Sequence, residues 1–429
     1  MKKLISIMLI IVALFLVASC DNNPNEKDNV KDNTPGEGVD NPSGGEEPEN
    51  PEKKNVIVLS SERSLADALR EMDLEEAEEL VIEGTIGDDD YSSLSGMVTL
   101  KRLDIESVTN EEIPKGAFAR SYFETIKLPK KLKTIGNYAF AESSLLDVDI
   151  PLGVTKLGEG VFFKATSLER LHIPQSVEFI GSWFVQQYDY EEDTMPKSAS
   201  YLTVVLEEGI KELAPAAFCG AKIKEIVIPK TITEIPDFCF AQTHIDKIVL
   251  HDKIKRIGNA AFENSFLKLE NNTLVLPKEL KVLGPRAFSV QNEYSYNVVF
   301  NDKLEYVYQK VFETGFVIEE FVFPATLKGF SKSALSTRTG LKRAIFKGAT
   351  PPEILPHFDY MDIQYNQETN RYSGIISDAI QPQDPKAYRD VEAYVPQSAL
   401  EAYKSAFIST DNLNPFGEAY IKTIESMTK

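Results

Sequence analysis

Residue types that carry chemistry are scarce in this sequence and poorly arranged for it. His244 and His251, two of only four histidines, stand seven residues apart. Paired metal ligands converge from a more closely fixed geometry than that, so no metal site is expected. Cys219 follows Phe218 and Cys239 precedes Phe240. Both cysteines read as small buried core residues; an exported location permits a disulfide, but their offset in register argues against one. The sequence holds no H-E-x-x-H, Walker loop, G-x-S-x-G or dinucleotide fingerprint. Acidic pairs are frequent, yet none is singled out by spacing for glycosidic acid–base work. No catalytic residue and no cofactor are expected, and an enzyme would need carboxylates of the Pro351 to Asp390 segment to converge on the surface.

Binding chemistry is better represented, in two aromatic-rich segments. Gln186 to Tyr201 carries Tyr188 and Tyr190 beside Glu191, Glu192 and Asp193, and Pro351 to Asp390 carries Phe358, Tyr360, Tyr365 and Tyr372 among Asp, Asn and Gln. Exposed aromatics set among polar groups stack on sugars or anchor a protein partner. The same residues would serve equally to pack a surface loop on itself.

Both segments interrupt a repeat, and the repeat is what must position them. Phe118, Phe140, Phe162, Phe184, Phe218, Phe240, Phe262, Phe288 and Phe312 recur at spacings of 22, 22, 22, 34, 22, 22, 26 and 24, and Leu335 continues the series. Eleven residues before most of them a short apolar alternation ends in Pro, as in Ile126–Pro129, Ile226–Pro229 and Leu274–Pro277. Apolar pairs such as Leu132 and Ile135, or Ile232 and Ile235, follow at fixed offsets. The unit reads L-x-x-I-x-I-P-x-x-L-x-x-I-G-x-x-A-F. It resembles the BspA-like, Treponema pallidum-type leucine-rich repeat over Leu100 to Phe346, in ten units.

The physics leads to the same fold class, a leucine-rich repeat solenoid with a parallel sheet on one face. The period-2 stretch is a strand with one face inward, ending at a Pro where no further ladder donor is needed. The apolar pair then turns the chain through an irregular arc. One turn of 22–26 residues cannot bury its own apolar side, so turns stack, the phenylalanines forming a core column. At ~4.8 Å per rank, ten turns extend on the order of 50 Å. Residues 55–99 are expected to form a small α/β cap, with a helix opening at Ser64-Leu65-Ala66-Asp67; 100–347 are the repeats; 348–429 are an insertion and a strand–helix cap from Ala393 to Lys404.

Aligning the strands on the Pro position gives one outward column: Lys127, Asp149 and His172, then Val205, Val227, Val249, Val275, Val299, Val322 and Ile345. The last seven form an apolar strip flanked by charges such as Lys224, Glu225, Asp246 and Lys247. It is a candidate contact surface, although β-branched residues also simply suit strands.

The chain opens with Lys2, Lys3 and an apolar run from Leu4 to Ala18, fifteen residues and too short for the roughly 20 of a permanent span. Val17-Ala18-Ser19-Cys20 resembles a bacterial lipoprotein lipobox. The resemblance implies cleavage of residues 1–19 and lipidation of Cys20, a membrane anchor without a transmembrane helix. Residues 20–54 read as a disordered tether: Asp21 to Lys54 holds ten acidic residues, four lysines and only two aliphatic side chains, Val30 and Val39. The net charge of -20 disfavours nucleic acid, which is bound through clustered Lys and Arg. Taken together these features point to a non-enzymatic binding lipoprotein of a bacterial envelope, expected in the outer membrane and surface-exposed. Family resemblance implies adhesion to extracellular or cell-surface proteins; the alternative is a glycan-binding accessory lipoprotein using the aromatic insertions.

Overall fold

In the computed structural model the strands before the prolines form where the alternation requires them. Thr125–Lys127, Asp147–Asp149, Arg170–Ile173, Leu202–Leu206 and Lys222–Val227 are three to six residues long. Buried and exposed side chains alternate along them, apart from a bulge opposite Leu202 and Thr203. The structure describes residues 55–428 other than 61–62, 189–194, 291–295, 313–315, 332–333, 335–339, 356–360, 367–370, 377–390 and 408–420. The described residues belong to one unit, 55–188 with 195–429. Cys20 and the whole segment 1–54 lie outside them.

Each strand pairs in parallel with its counterpart in the next turn, giving an 11-stranded sheet from Val56–Leu59 to Phe266–Leu267. The stack continues as Thr273–Val275 with Asn297–Val299, then as Glu320–Phe323, Arg343–Phe346, Glu392–Val395 and Ile421–Thr423. The result is a parallel solenoid of about twelve turns. Cap strands at both ends, Val56–Leu59 and Glu79–Gly84 at one and Glu392–Val395 and Ile421–Thr423 at the other, extend the ladder beyond the units legible in sequence.

The expected irregular arc is instead a second parallel ladder. Ile113, Ile135, Leu157, Ile180 and Leu213 lie in two-residue strands of one five-stranded sheet, and Ile235, Ile257, Leu283, Val307 and Phe330 in a six-stranded one. The second residue of each apolar pair therefore packs inward while its backbone bonds to the neighbouring turns, satisfying polar groups that would otherwise be buried unpaired.

At the third corner the backbone N–H of most of these phenylalanines donates to the residue before the next Phe, as in Phe118 to the Ala139 carbonyl (2.8 Å), Phe140 to Val161 (2.9 Å) and Phe240 to Ala261 (2.8 Å), whereas Phe162 donates to Phe184 itself. Six of the ring pairs stack at 5.0–5.8 Å with planes within 13°. Phe184 departs from the series. The Cα partner of Phe162 is Val185, so Phe184 sits one place out of register. Its ring still fills the core, but at 81° to Phe162 and 88° to Phe218. A left-handed residue opens every corner: Tyr138, Trp183, Ala216, Phe238, Ala260, Arg286 and Lys310 hold φ between 51° and 58°.

The caps close a single apolar core that runs from Ile57 to Ile421. Ser64 caps the helix Leu65–Glu71, its hydroxyl accepting from the Asp67 N–H, and Asp90 accepts from the N–H groups of Leu65 and Gly87. At the other end the helix Leu400–Phe407 sets Tyr403 and Phe407 against Phe346, at 5.6 and 5.5 Å between ring centres. The Tyr403 hydroxyl donates to the Gly348 carbonyl at 3.0 Å.

Candidate functional site

The outward column predicted from the prolines exists as a register. His172 pairs with Val205, Val227 with Val249, Val275 with Val299, and Val322 with Ile345. Val205, Val227, Val249, Val275 and Val299 are 39–63% exposed. Val322 is half-buried, and Ile345 is only 8% exposed. Ile345 therefore does not extend the strip: its partner in the next rank is Tyr394, and a side chain that large in the same column takes area that solvent has over the valines. Five valines remain, in consecutive ranks and on the order of 20 Å from first to last.

Charges frame the strip in fixed pairs rather than as a loose halo. At its polar end Arg170 bridges Asp147 (2.6 Å) and Asp149 (2.8 Å), and His172 lies 2.9 Å from Glu207. The Gln175 N–H, followed by His172, holds the Glu207 carboxyl below the usual range. Glu225 takes Lys247 at 2.5 Å and Asp252 takes Lys278 at 2.7 Å, while at the second ladder Glu305 accepts from both Lys281 and Lys328. Those two lysines lower the Glu305 carboxyl as well. Each pair joins neighbouring turns. Exposed pairs of this kind contribute about 0–1 kcal/mol, so they fix where charge sits more than they stabilise the fold.

Of the aromatic residues expected in the insertions, Tyr188 is half-buried and its N–H donates to the Gly220 carbonyl at 2.9 Å. Gln187 beside it is buried; it accepts from the Lys222 N–H and donates to the Ser200 carbonyl, tying both ends of the insertion to the solenoid. Tyr365 and Tyr372 are Cα partners in an antiparallel hairpin of Met361–Asn366 and Arg371–Ile376. Tyr190, Phe358 and Tyr360 fall outside the described residues.

One cluster escaped the sequence reading. Tyr201, Lys222, His244 and Phe266 occupy one outward position of four successive ranks. The Lys222 ammonium lies 4.3 Å over the Tyr201 ring and donates to the Ala199 carbonyl. The Tyr201 hydroxyl is 3.2 Å from His244 Nε2, and the His244 ring is 4.4 Å from that of Phe266. Burial, opposed by Asp246, lowers the His244 pKa. His251, by contrast, lies apart, bonded through Nε2 to the Pro229 carbonyl. Among the described residues no group of three or more His, Cys, Asp or Glu is placed to hold a metal ion. Cys219 and Cys239 are buried and not joined in a disulfide, and burial pushes the Cys239 thiol far up.

Comparison with solved structures finds several bacterial leucine-rich repeat proteins. A leucine-rich repeat protein from Bacteroides ovatus is 16% identical, with 80% of this chain and 88% of that one covered and a TM-score of 0.39. A leucine rich cell surface protein from Faecalibacterium prausnitzii is 18% identical over 62% of this chain and 77% of its own, with a TM-score of 0.36. The T. pallidum leucine rich repeat protein is 18% identical over 45% and 75%, with a TM-score of 0.27. No curated protein matches the sequence. The family model of the BspA type leucine rich repeat region matches residues 90–206 and 211–342 in six copies. With the phenylalanine column, the proline-terminated strands and the parallel ladders all in place over those residues, the chain belongs to the BspA type leucine-rich repeat family.

Proposed function

We propose that this protein is a lipid-anchored, surface-displayed binding solenoid whose contact surface for cell-surface or extracellular proteins is the strip Val205, Val227, Val249, Val275 and Val299. The strip itself carries this reading. Five half-exposed valines in successive turns are an unusual feature on an otherwise strongly charged surface, and an apolar centre framed by fixed charges is the anatomy of a protein interface. Family membership agrees with it, and so does the lipobox-like Val17-Ala18-Ser19-Cys20.

A binding screen of the protein against extracellular-matrix and bacterial surface proteins tests the claim. The pair Val227→Glu and Val249→Glu should abolish capture of any partner found while leaving the melting temperature within a few degrees. Retained binding would remove the strip from consideration. The anchor is tested separately: Cys20→Ser should abolish lipid labelling and release the protein from the membrane fraction, and unchanged fractionation would refute it.

A further inference from the structure

We infer that the column Tyr201, Lys222, His244 and Phe266, with Lys224 and Lys268 beside it, is a binding site for a short glycan bearing a carboxylate-containing sugar. The column is distinct from the valine strip: no residue is shared between the two. A sugar ring is recognised by an aromatic face for its C–H surface and by a few fixed polar groups for its hydroxyls. Phe266 and Tyr201 supply partly exposed rings at the two ends of the column. Between them the Tyr201 hydroxyl, His244 and Asp246 converge: His244 Nε2 is 3.2 Å from that hydroxyl and 3.6 Å from the Asp246 carboxylate.

Charge selects an acidic sugar over a neutral one. The chain as a whole carries -20 and repels anions. Here Lys222 and Lys268 both lie close enough to act on His244, with the Asp246 carboxylate beside it, and Lys224 follows two residues along the strand from Lys222. Lys224 and Lys268 are exposed. Three lysines are too few for a nucleic-acid backbone. The rings are held in place before any ligand arrives. Lys222 is fixed by the Ala199 carbonyl and by Tyr201, while Tyr201 is fixed by His244, so little side-chain freedom is lost on binding. Four ranks give the column a length of about 14 Å, which suits an oligosaccharide better than a single ring.

The probes are 3′-sialyllactose and tri-galacturonic acid, with lactose as the neutral control, titrated calorimetrically into the protein. Binding of at least one acidic probe and not of lactose is expected, weakening as salt rises. The double variant Lys224→Glu, Lys268→Glu should lose about ten-fold or more in affinity. Phe266→Ala should lose as much, while Val227→Glu should bind the sugar unchanged. Because Phe266 is half-buried, the exposed lysine variant decides the matter if Phe266→Ala unfolds. No binding of either acidic probe, equal binding of lactose, or full retention by the lysine variant would overturn the assignment. None of these outcomes touches protein capture by the strip.

Discussion

Phe240→Ala should be among the most damaging single substitutions in the protein. Phe240 is fully buried, with Phe218 stacked on one side at 5.6 Å and Phe262 on the other at 5.2 Å. Truncating a buried Phe costs roughly 3–5 kcal/mol through lost transfer energy and an incompletely collapsed cavity. The two ring contacts, each worth ~0.5–1.5 kcal/mol beyond their area, place Phe240 toward the upper end of that range. Val185 is the control, since it occupies the same corner rank without a ring. Val185→Ala removes two methyl groups and should cost only about 2 kcal/mol. Urea denaturation read by circular dichroism and by Trp183 fluorescence measures both. Trp183, the only tryptophan, packs with Phe238 against Ala216, Cys219 and Ala241, so its emission reports the turns beside the cavity. Stacked turns depend on their neighbours, so a central lesion should also separate the two signals into distinct transitions. A cost below about 1 kcal/mol for Phe240→Ala, or equal costs for the two variants, would show that the ring column does not hold the turns together.

Two further outcomes follow from buried groups. Native Cys219 and Cys239 should resist iodoacetamide and both should react in denaturant, because thiolate is the reactive form and burial suppresses it; mass spectrometry counts the adducts, and rapid native labelling would contradict the structure. His244 has its pKa lowered in the folded state, so the unfolded chain takes the proton first and stability falls as pH drops below about 6.5. The stability difference between pH 7.5 and pH 5.5 should therefore shrink in His244→Gln, and an unchanged difference would argue against it.

The repeat and its core were legible because a ring every turn leaves a periodic trace. Two features left none. The second ladder consists mostly of two-residue strands, too short for alternation to be visible, and its pairing exists only between turns. Phe184 looks like the next member of the column, yet the backbone assigns that rank to Val185; side-chain type says what fills the core, not which residue holds the register. The valine strip was readable from the Pro positions, but the burial of Ile345 depends on Tyr394, nearly fifty residues away in sequence. Tyr201, Lys222, His244 and Phe266 share one phase of the repeat, 21, 22 and 22 residues apart. Four different residue types at one phase form no motif until the ladder sets them side by side.

The left-handed corners bear on how short such a protein can be. A non-glycine residue in that conformation costs roughly 1–2 kcal/mol, and almost every turn from Tyr138 to Lys310 carries one. Within the turn one bond spans each corner, as from the Ala241 N–H to the Phe238 carbonyl, but the N–H of the left-handed residue itself bonds to the following turn, as Phe238 does to the Asn259 carbonyl. A solitary unit would keep the strain and lose the bonds between turns. The building block of this solenoid is therefore an adjacent pair, and truncation from either end should reach a smallest viable array below which the remaining turns come apart together.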